Sequence, residues 1–321
     1  MENKFDIPIL LLVFRRPEVT NKLWAEIKKI KPAKLYIGCD GPRKNIAGEA
    51  EKVLEVKNIF KDINWDCEVK TYFQEENKGS RVAESLAMNW FFDNVDEGII
   101  LEDDCIPAPD LFKYCQEMLE YYRYDERIMI ISGSNFQFGN VRGEGSYYFS
   151  KFPNTWGWAT WKRAWKSYDV DLKDFPQFKK SKIISLVTEN KTAQTYFLDH
   201  LKAVYEKKID AWDDQILFML WANNGLGVVP NTNLVTNIGV GEGSVNTLGN
   251  ISNINFLPIG EIGFPLKHPK VMIPDLVADE FIMKVFKINT INILRNKFKI
   301  FVVKILKRLN VYKLYKALKD L

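Results

Sequence analysis

The sequence predicts an α/β fold: a mostly parallel sheet covered by helices, followed by a basic amphipathic helical tail. Three observations carry that expectation. From residue 7 to 132, apolar runs of five to eight residues alternate with amphipathic stretches of helical length. The connections between them are short, as parallel strands joined by helices require. Residues 281 to 321 then change character, with 11 Lys or Arg and one Asp.

The elements follow in order. IPILLLVF (7 to 14) reads as a strand. PEVTNKLWAEIKKI (17 to 30) reads as a helix, with Pro17 in its first turn and Val19, Leu23, Ile27 and Ile30 at helical spacing. KLYIGCD (34 to 40) is a strand closed by the turn Gly41-Pro42, and 46 to 60 is a helix. DCEVKTYF (66 to 73) alternates like a strand, and Ser80 to Phe92 is a helix. GIILE (98 to 102) reads as a strand buried on both faces, ahead of a helix from Pro109 to Tyr122 and the strand IMIIS (128 to 132). The second half is less regular. It holds PNTWGWATWKRAW (153 to 165), helical patterns over 182 to 207 and 213 to 223, and Gly/Asn-rich turns from 223 to 250. The expected organisation is a first half over 1 to 135, a second half of the same domain over 136 to 275, and a tail over 276 to 321.

Composition narrows the function classes. The chain is 46% hydrophobic, enough for a sizeable core. Its four cysteines show no CxxC pair, so free thiols in a reducing compartment are expected, and two His make a His-rich zinc site improbable. No secretory signal is apparent, and no run is long and uncharged enough to span a bilayer. The net charge of +4 divides into +10 over 281 to 321 and −6 over the remainder. The apolar content of that basic tail fits the surface of an anionic membrane, or a helix packed on the body, better than nucleic acid. A cytoplasmic protein, peripheral on the inner face of the membrane, is expected.

Right-handed crossovers bring the carboxyl ends of parallel strands to one edge, where such sheets bind ligands. Arg15, Asp40, the turn at Asn77–Gly79 and the acids Glu102, Asp103 and Asp104 lie at those ends. Three adjacent carboxylates repel one another. Either bulk water or a divalent cation, Mn²⁺ or Mg²⁺, would offset that repulsion, and a strand-end acid pair can hold such a cation against a diphosphate. The plain alternative is a solvated turn capping the next helix. Asp40 could accept from a ribose hydroxyl or a base N–H, or simply form the turn before Gly41. NKGSR (77 to 81) places Lys78 and Arg81 at a helix start, which suits phosphate oxygens and equally suits an ordinary cap. In WDDQ (212 to 215), Asp213 or Asp214 could act as a general base or as an N-cap. Trp158, Trp161 and Trp165 have the spacing of one buried helical face, whereas Trp156 stays open as a wall for a sugar.

Taken together, these residues resemble a bacterial glycosyltransferase of the GT-A type, close to the N-acetylglucosaminyltransferase I-like and family 2-like nucleotide-diphospho-sugar transferases. The resemblance runs from about residue 7 to 250. It rests on PILLLVFRRP, YIGCDGPR, NKG, GIILEDDCIPAPDLFKYCQEML, SGSN, NTWGWATWKRAW and AWDDQILFMLWANNGLGVVPNTNLVTNIG. It implies a metal-dependent, inverting transfer of a sugar from a nucleotide-diphosphate donor, with a UDP-sugar favoured, to a saccharide or lipid-linked saccharide. Cell-surface polysaccharide or lipopolysaccharide synthesis is the implied setting. By position, Asp104 would ligate the metal, and Glu102 and Asp103 would contact the donor's sugar and ribose. Asp40 would read the base, Arg15 would sit by the nucleotide, and Asp213, or its rival Asp214, would activate the acceptor. Relatives often carry a His after the NIGxG segment; here GVGEGSVNT has Asn246, so a ligand is missing if that His binds metal or phosphate. A nucleotidyltransferase could use similar acids, but FRRPEV lacks the glycines of its usual signature. A catalytically inactive saccharide-binding protein would keep the same fold.

Overall fold

The computed structural model describes residues 5–239 and 254–288. The first half alternates as expected: β1 (Ile9–Val13), α1 (Pro17–Ile30), β2 (Lys34–Cys39), α2 (Glu49–Ile59), β3 (Glu68–Phe73), α3 (Ser80–Asn94) and β4 (Glu97–Glu102). After β4 come the short β5 (Cys105–Pro107), α4 (Pro109–Tyr121) and β6 (Ile128–Ser132). The second half adds β7 (Tyr147–Ser150), β8 (Trp158–Trp161), α5 (Lys162–Trp165), α6 (Phe175–Ser181), α7 (Ile184–Val187) and α8 (Lys191–Tyr205). It closes with α9 (Asp214–Ala222), β9 (Leu226–Pro230), β10 (Val235–Asn237) and α10 (Leu276–Val285).

Eight strands form one sheet in the order β3-β2-β1-β4-β8-β6-β9-β7. β8 and β7 run antiparallel to their neighbours and the other pairings are parallel. Strands of both halves therefore interleave in a single sheet. β10 and β5 pair separately as a small antiparallel ribbon.

β1 shows why its sequence is apolar without alternation. Ile9, Leu11 and Val13 face one core with α1, α2 and α4, while Leu10 and Leu12 face a second core with α3 and α9. Helices cover both faces, so every position is buried, at about 2 kcal/mol for each large aliphatic side chain. α1 begins with Pro17 in its first turn, buries Thr20, Leu23, Trp24 and Ile27, and ends at Lys31 in the left-handed region.

The Trp-rich segment departs from the expected helical face. Trp158 to Trp161 is strand β8, and only Lys162–Trp165 is helical. β8 inserts between β4 and β6, pairing Trp158 with Ile100 and with Ser132. Residues three apart on a strand point to opposite faces, so Trp161 joins one core and Trp158 the other. All three Trp are still buried. The start of the expected tail is α10, packed on the body, while residues beyond 288 and Asn246 lie outside the described residues. None of the four cysteines forms a disulfide. Among the described residues, no helix is long and apolar enough to cross a membrane.

Candidate active site

The parallel strands end in register. Val13 pairs with Cys39, Cys39 with Phe73, and Leu12 with Glu102. The residues after each strand consequently meet along one edge, beside a cavity of about 600 Å³, a volume usual for small-molecule sites. Of the residues singled out from the sequence, Arg15, Asp40, the Glu102–Asp104 triplet, Trp156, Asp213 and Asp214 line this cavity. Lys78 and Arg81 stand outside it.

Two acids of the triplet, Asp103 and Asp104, are held by Arg16, which sequence reasoning passed over for its neighbour. One guanidinium nitrogen, Nη2, donates to Asp103 and, at 2.8 Å, to Asp104 Oδ2; Nε donates to Asp103 Oδ2 at 3.2 Å. On its other side, Asp104 Oδ1 accepts from Asn237 Nδ2 at 2.9 Å, and the Ile238 N–H donates to the Asp104 carbonyl at 2.9 Å. A Cβ at Gly239 would stand 2.0 Å from Asp104 Oδ2, so only glycine allows this approach.

Arg15 is committed elsewhere. Its Nη1 donates to Glu49 Oε2 at 2.6 Å, and Arg43 binds the same carboxylate through side chain and backbone. The Arg43 hydrogen bonds, aided by the Arg15 charge, hold the Glu49 carboxyl down at about 2 in spite of its burial. Glu49 thereby pins the loop after β2 against the end of β1.

Asp40 organises the 77–79 turn. Its carboxylate accepts from the backbone N–H groups of Gly41 (2.8 Å), Lys78 (2.9 Å) and Gly79 (3.1 Å), and from Asn77 Nδ2 (2.7 Å). Burial raises its pKa, and the three backbone N–H groups, with the Lys78 charge, oppose the rise. The start of α3, expected to face phosphate, instead faces Asp210: the Arg81 N–H donates to Asp210 Oδ1 at 3.3 Å. The Arg81 guanidinium turns to the Val170 carbonyl (3.1 Å) and Asp171 (3.3 Å). The Asp210 carboxylate thus takes one N–H of that helix end.

Asp213 reaches the triplet through a relay of buried groups. Trp158 on β8 stacks on Trp212 at 6.0 Å, and β8 is paired with β4, whose last residue is Glu102. The Tyr168 hydroxyl donates to the Trp212 carbonyl at 3.1 Å and bonds to Ser85 of α3 at 2.8 Å. Asp213 and Asp214 then part company. Asp214 is hydrogen-bonded to His200 Nε2 at 3.0 Å. Burial would lower the His200 pKa, but Asp214, with Asp213, raises it overall. Asp213 occupies the N-cap position of α9 without a side-chain cap bond, and its open surface faces the cavity.

A further acid, Glu84 of α3, completes the group. Glu84 and Glu102 each feel the charges of Asp103, Asp104 and Asp213, and Glu102 that of Glu84 as well. Burial, then neighbouring carboxyls, push Glu84 and Glu102 well above the usual range. Burial also lifts Asp103 to about 6 against the pull of Arg16; Asp213 is exposed towards the cavity, yet desolvation between the cavity walls, then the Asp214 charge, lifts it to about 6. The sequence signal for Glu84 was faint. It shares its helix face with Ser80, Ala83 and Ala87, small residues that let α3 approach the strand ends.

The donor set bears on a cation. Among the described residues, no three His, Cys, Asp or Glu form a protein-only metal site. Asp104 Oδ2 keeps a lone pair beyond its Arg16 partner, while Oδ1 takes Asn237 and a weak bond from Cys105 Sγ at 3.7 Å, and the surrounding carboxyls are in excess over cations. That chemistry fits a divalent ion whose remaining ligands come from a substrate's phosphates, the usual manner for Mg²⁺.

No family model matches the chain, and no curated protein matches its sequence. Among solved structures it is similar to HddC from Yersinia pseudotuberculosis, at 11% identity and a TM-score of 0.32 over 50% of this chain and 80% of that one. It is similar to a UDP-glucose pyrophosphorylase complexed with UDP-glucose, at 10% identity and a TM-score of 0.30 over 50% and 78%. It is also similar to mouse xyloside xylosyltransferase 1, at 11% identity and a TM-score of 0.32 over 67% and 81%. Likenesses this distant carry no argument about activity.

Proposed function

We propose that this chain is a glycosyltransferase, moving a sugar from a nucleotide-diphosphate donor, a UDP-sugar by preference, to a saccharide acceptor with inversion. The observation that carries the reading is the meeting of Asp213 with the Glu102–Asp104 triplet across one strand-edge cavity. Glu102 and Asp103 would accept hydrogen bonds from the donor's sugar and ribose, with Arg16 keeping Asp103 in place. Asp40 and Glu49 are positioning residues, holding the loops against which the nucleotide would lie, and Arg15 acts through Glu49. Asp104 would hold Mn²⁺ or Mg²⁺ shared with the diphosphate, and such an ion would neutralise charge on the departing nucleoside diphosphate.

Asp213 takes the proton of the acceptor hydroxyl. With its carboxyl near 6, it is mostly ionised at neutral pH yet still basic enough to accept a proton. The acceptor oxygen bonds to the anomeric carbon as the bond to the diphosphate oxygen breaks. The proton ends on Asp213 and the electron pair on the diphosphate. Asp214, occupied by His200, supports Asp213 as the base. Trp156, edge-on to Phe136 at 5.0 Å, offers the acceptor a wall. The basic tail would keep the enzyme at the inner face of the membrane, beside a lipid-linked acceptor in surface-polysaccharide synthesis.

The test is donor turnover with Mn²⁺ across a panel of nucleotide sugars. Wild type should release nucleoside diphosphate, and Asp104→Ala should lose about a hundredfold or more. Equal release by both proteins would overturn the role of Asp104. Release of pyrophosphate from a nucleoside triphosphate and a sugar phosphate would make the chain a nucleotidyltransferase. Binding of a nucleotide sugar without turnover would make it a binding protein.

A further inference from the structure

α10 separates two apolar surfaces. Its inner side reaches the cavity, where Ile282 and Phe286, with Ile288 just beyond, join Phe136, Phe152 and Trp156 in the lining. Saccharides need hydrogen-bonding partners along their length, which Asn154, Thr155 and Asn255 of the lining offer, whereas these aliphatic and aromatic side chains offer few. They suit a hydrocarbon part of an acceptor.

The outer side is apolar too. Phe138, Val141, Val271, Ile273, Leu276 and Val277 are 47–69% exposed. They belong to one surface. Phe138 lies 6.4 Å from Phe281 of α10, the Arg142 guanidinium sits over the same ring at 5.6 Å, and Gln137 Nε2 donates to the Ala278 carbonyl at 3.1 Å. The 271–275 segment lies along β7, with Phe149 bridged to Pro274 and the Asp275 N–H donating to the Phe149 carbonyl at 2.8 Å. A cluster of large apolar side chains this exposed marks an interaction surface. Lys267, Lys270 and Lys284 are exposed around it, along with Glu144 and Glu280. The chain then continues from α10 into residues 289–321, which carry nine Lys or Arg and one Asp among many Ile, Leu, Val and Phe. An apolar face joined directly to so basic a segment matches an anionic lipid surface in both respects.

We infer that the face formed by Phe138–Arg142 and Val271–Phe281 docks on an anionic lipid bilayer, and that α10 thereby brings the apolar wall of the cavity to the hydrocarbon of a lipid-linked acceptor. The second clause rests on the glycosyltransferase reading; the docking clause stands on the surface itself. Flotation of the full chain with phosphatidylcholine/phosphatidylglycerol vesicles, and with phosphatidylcholine alone, tests it. Wild type should float with the anionic vesicles. The double variant Ile273→Asp/Val277→Asp should lose about tenfold in vesicle binding while keeping its melting temperature and its donor turnover in lipid-free buffer. Wild type failing to float, or the variant floating equally well, overturns the docking. A wild-type dimer that the variant dissociates without change in vesicle binding also overturns it, and assigns the face to a second copy of the chain. Turnover without vesicle binding would leave the proposed function standing and sink this inference; vesicle binding without turnover would do the reverse.

Discussion

Arg16 joins Asp103 and Asp104 through one guanidinium, while Arg15 beside it turns to Glu49. Asp103 is almost wholly buried, so its charge depends on that partner. Arg16→Ala should destabilise the protein by about 3 kcal/mol, because it strands a buried carboxylate, and Arg16→Lys should restore only part of the loss. Urea unfolding checks this, and a change below about 0.5 kcal/mol would show the pair to be a solvated surface contact. FRRP announced a basic strand end without saying which arginine turns to the acids. That choice is made by Glu49 and Arg43, residues that local pattern does not connect to Arg15.

At the scale of elements, the helix from 17 to 30 and the strand from 128 to 132 were legible to the residue, because their periodicity and terminal signals are local. β8 was not. Its residues carry helical spacing, and only pairing with β4 and β6 makes them a strand. The β10–β5 ribbon was equally hidden, yet it sets Asn237 and Gly239 against Asp104. Gly239→Ala should push Asp104 out of place and lower donor turnover about a hundredfold, with little effect on the melting temperature. Unchanged turnover would mean that the ribbon has no part in positioning the acid.

Across the whole molecule, the convergent carboxyls give stability a distinctive dependence on pH. Asp103 and Asp213 are raised from 3.8 to about 6, and Glu84 and Glu102 are raised as well. Between those limits the folded state binds more protons than the unfolded chain, so stability falls as pH rises. For Asp103 and Asp213 the penalty is absent below about pH 4, develops between about 4 and 6, and persists above, and Glu84 and Glu102 act in the same direction. His200, also raised, acts in the same direction at higher pH. Glu49 acts oppositely, losing its contribution only as pH falls from 4.5 towards about 2. Glu102→Gln should therefore melt with wild type at pH 4.5 and a few degrees above it at pH 7.5, by scanning calorimetry. A variant less stable than wild type at pH 7.5 would show the carboxyls to be well compensated. The same excess of negative charge gives a divalent cation reason to bind where the strands end.

Read alone, the sequence determined the alternation of the main strands and helices up to residue 132, the parallel half of the sheet and the edge where the acids would gather. Those features follow from the periodicity of near neighbours and from short connections that permit few topologies. The tertiary structure decided which arginine meets the acids, which of two adjacent aspartates stays open to the cavity, and that Glu84 belongs with them. These depend on side-chain directions set by Trp158, Trp212, Tyr168 and Asn237, partners far away in the chain, whose approach no local spacing encodes.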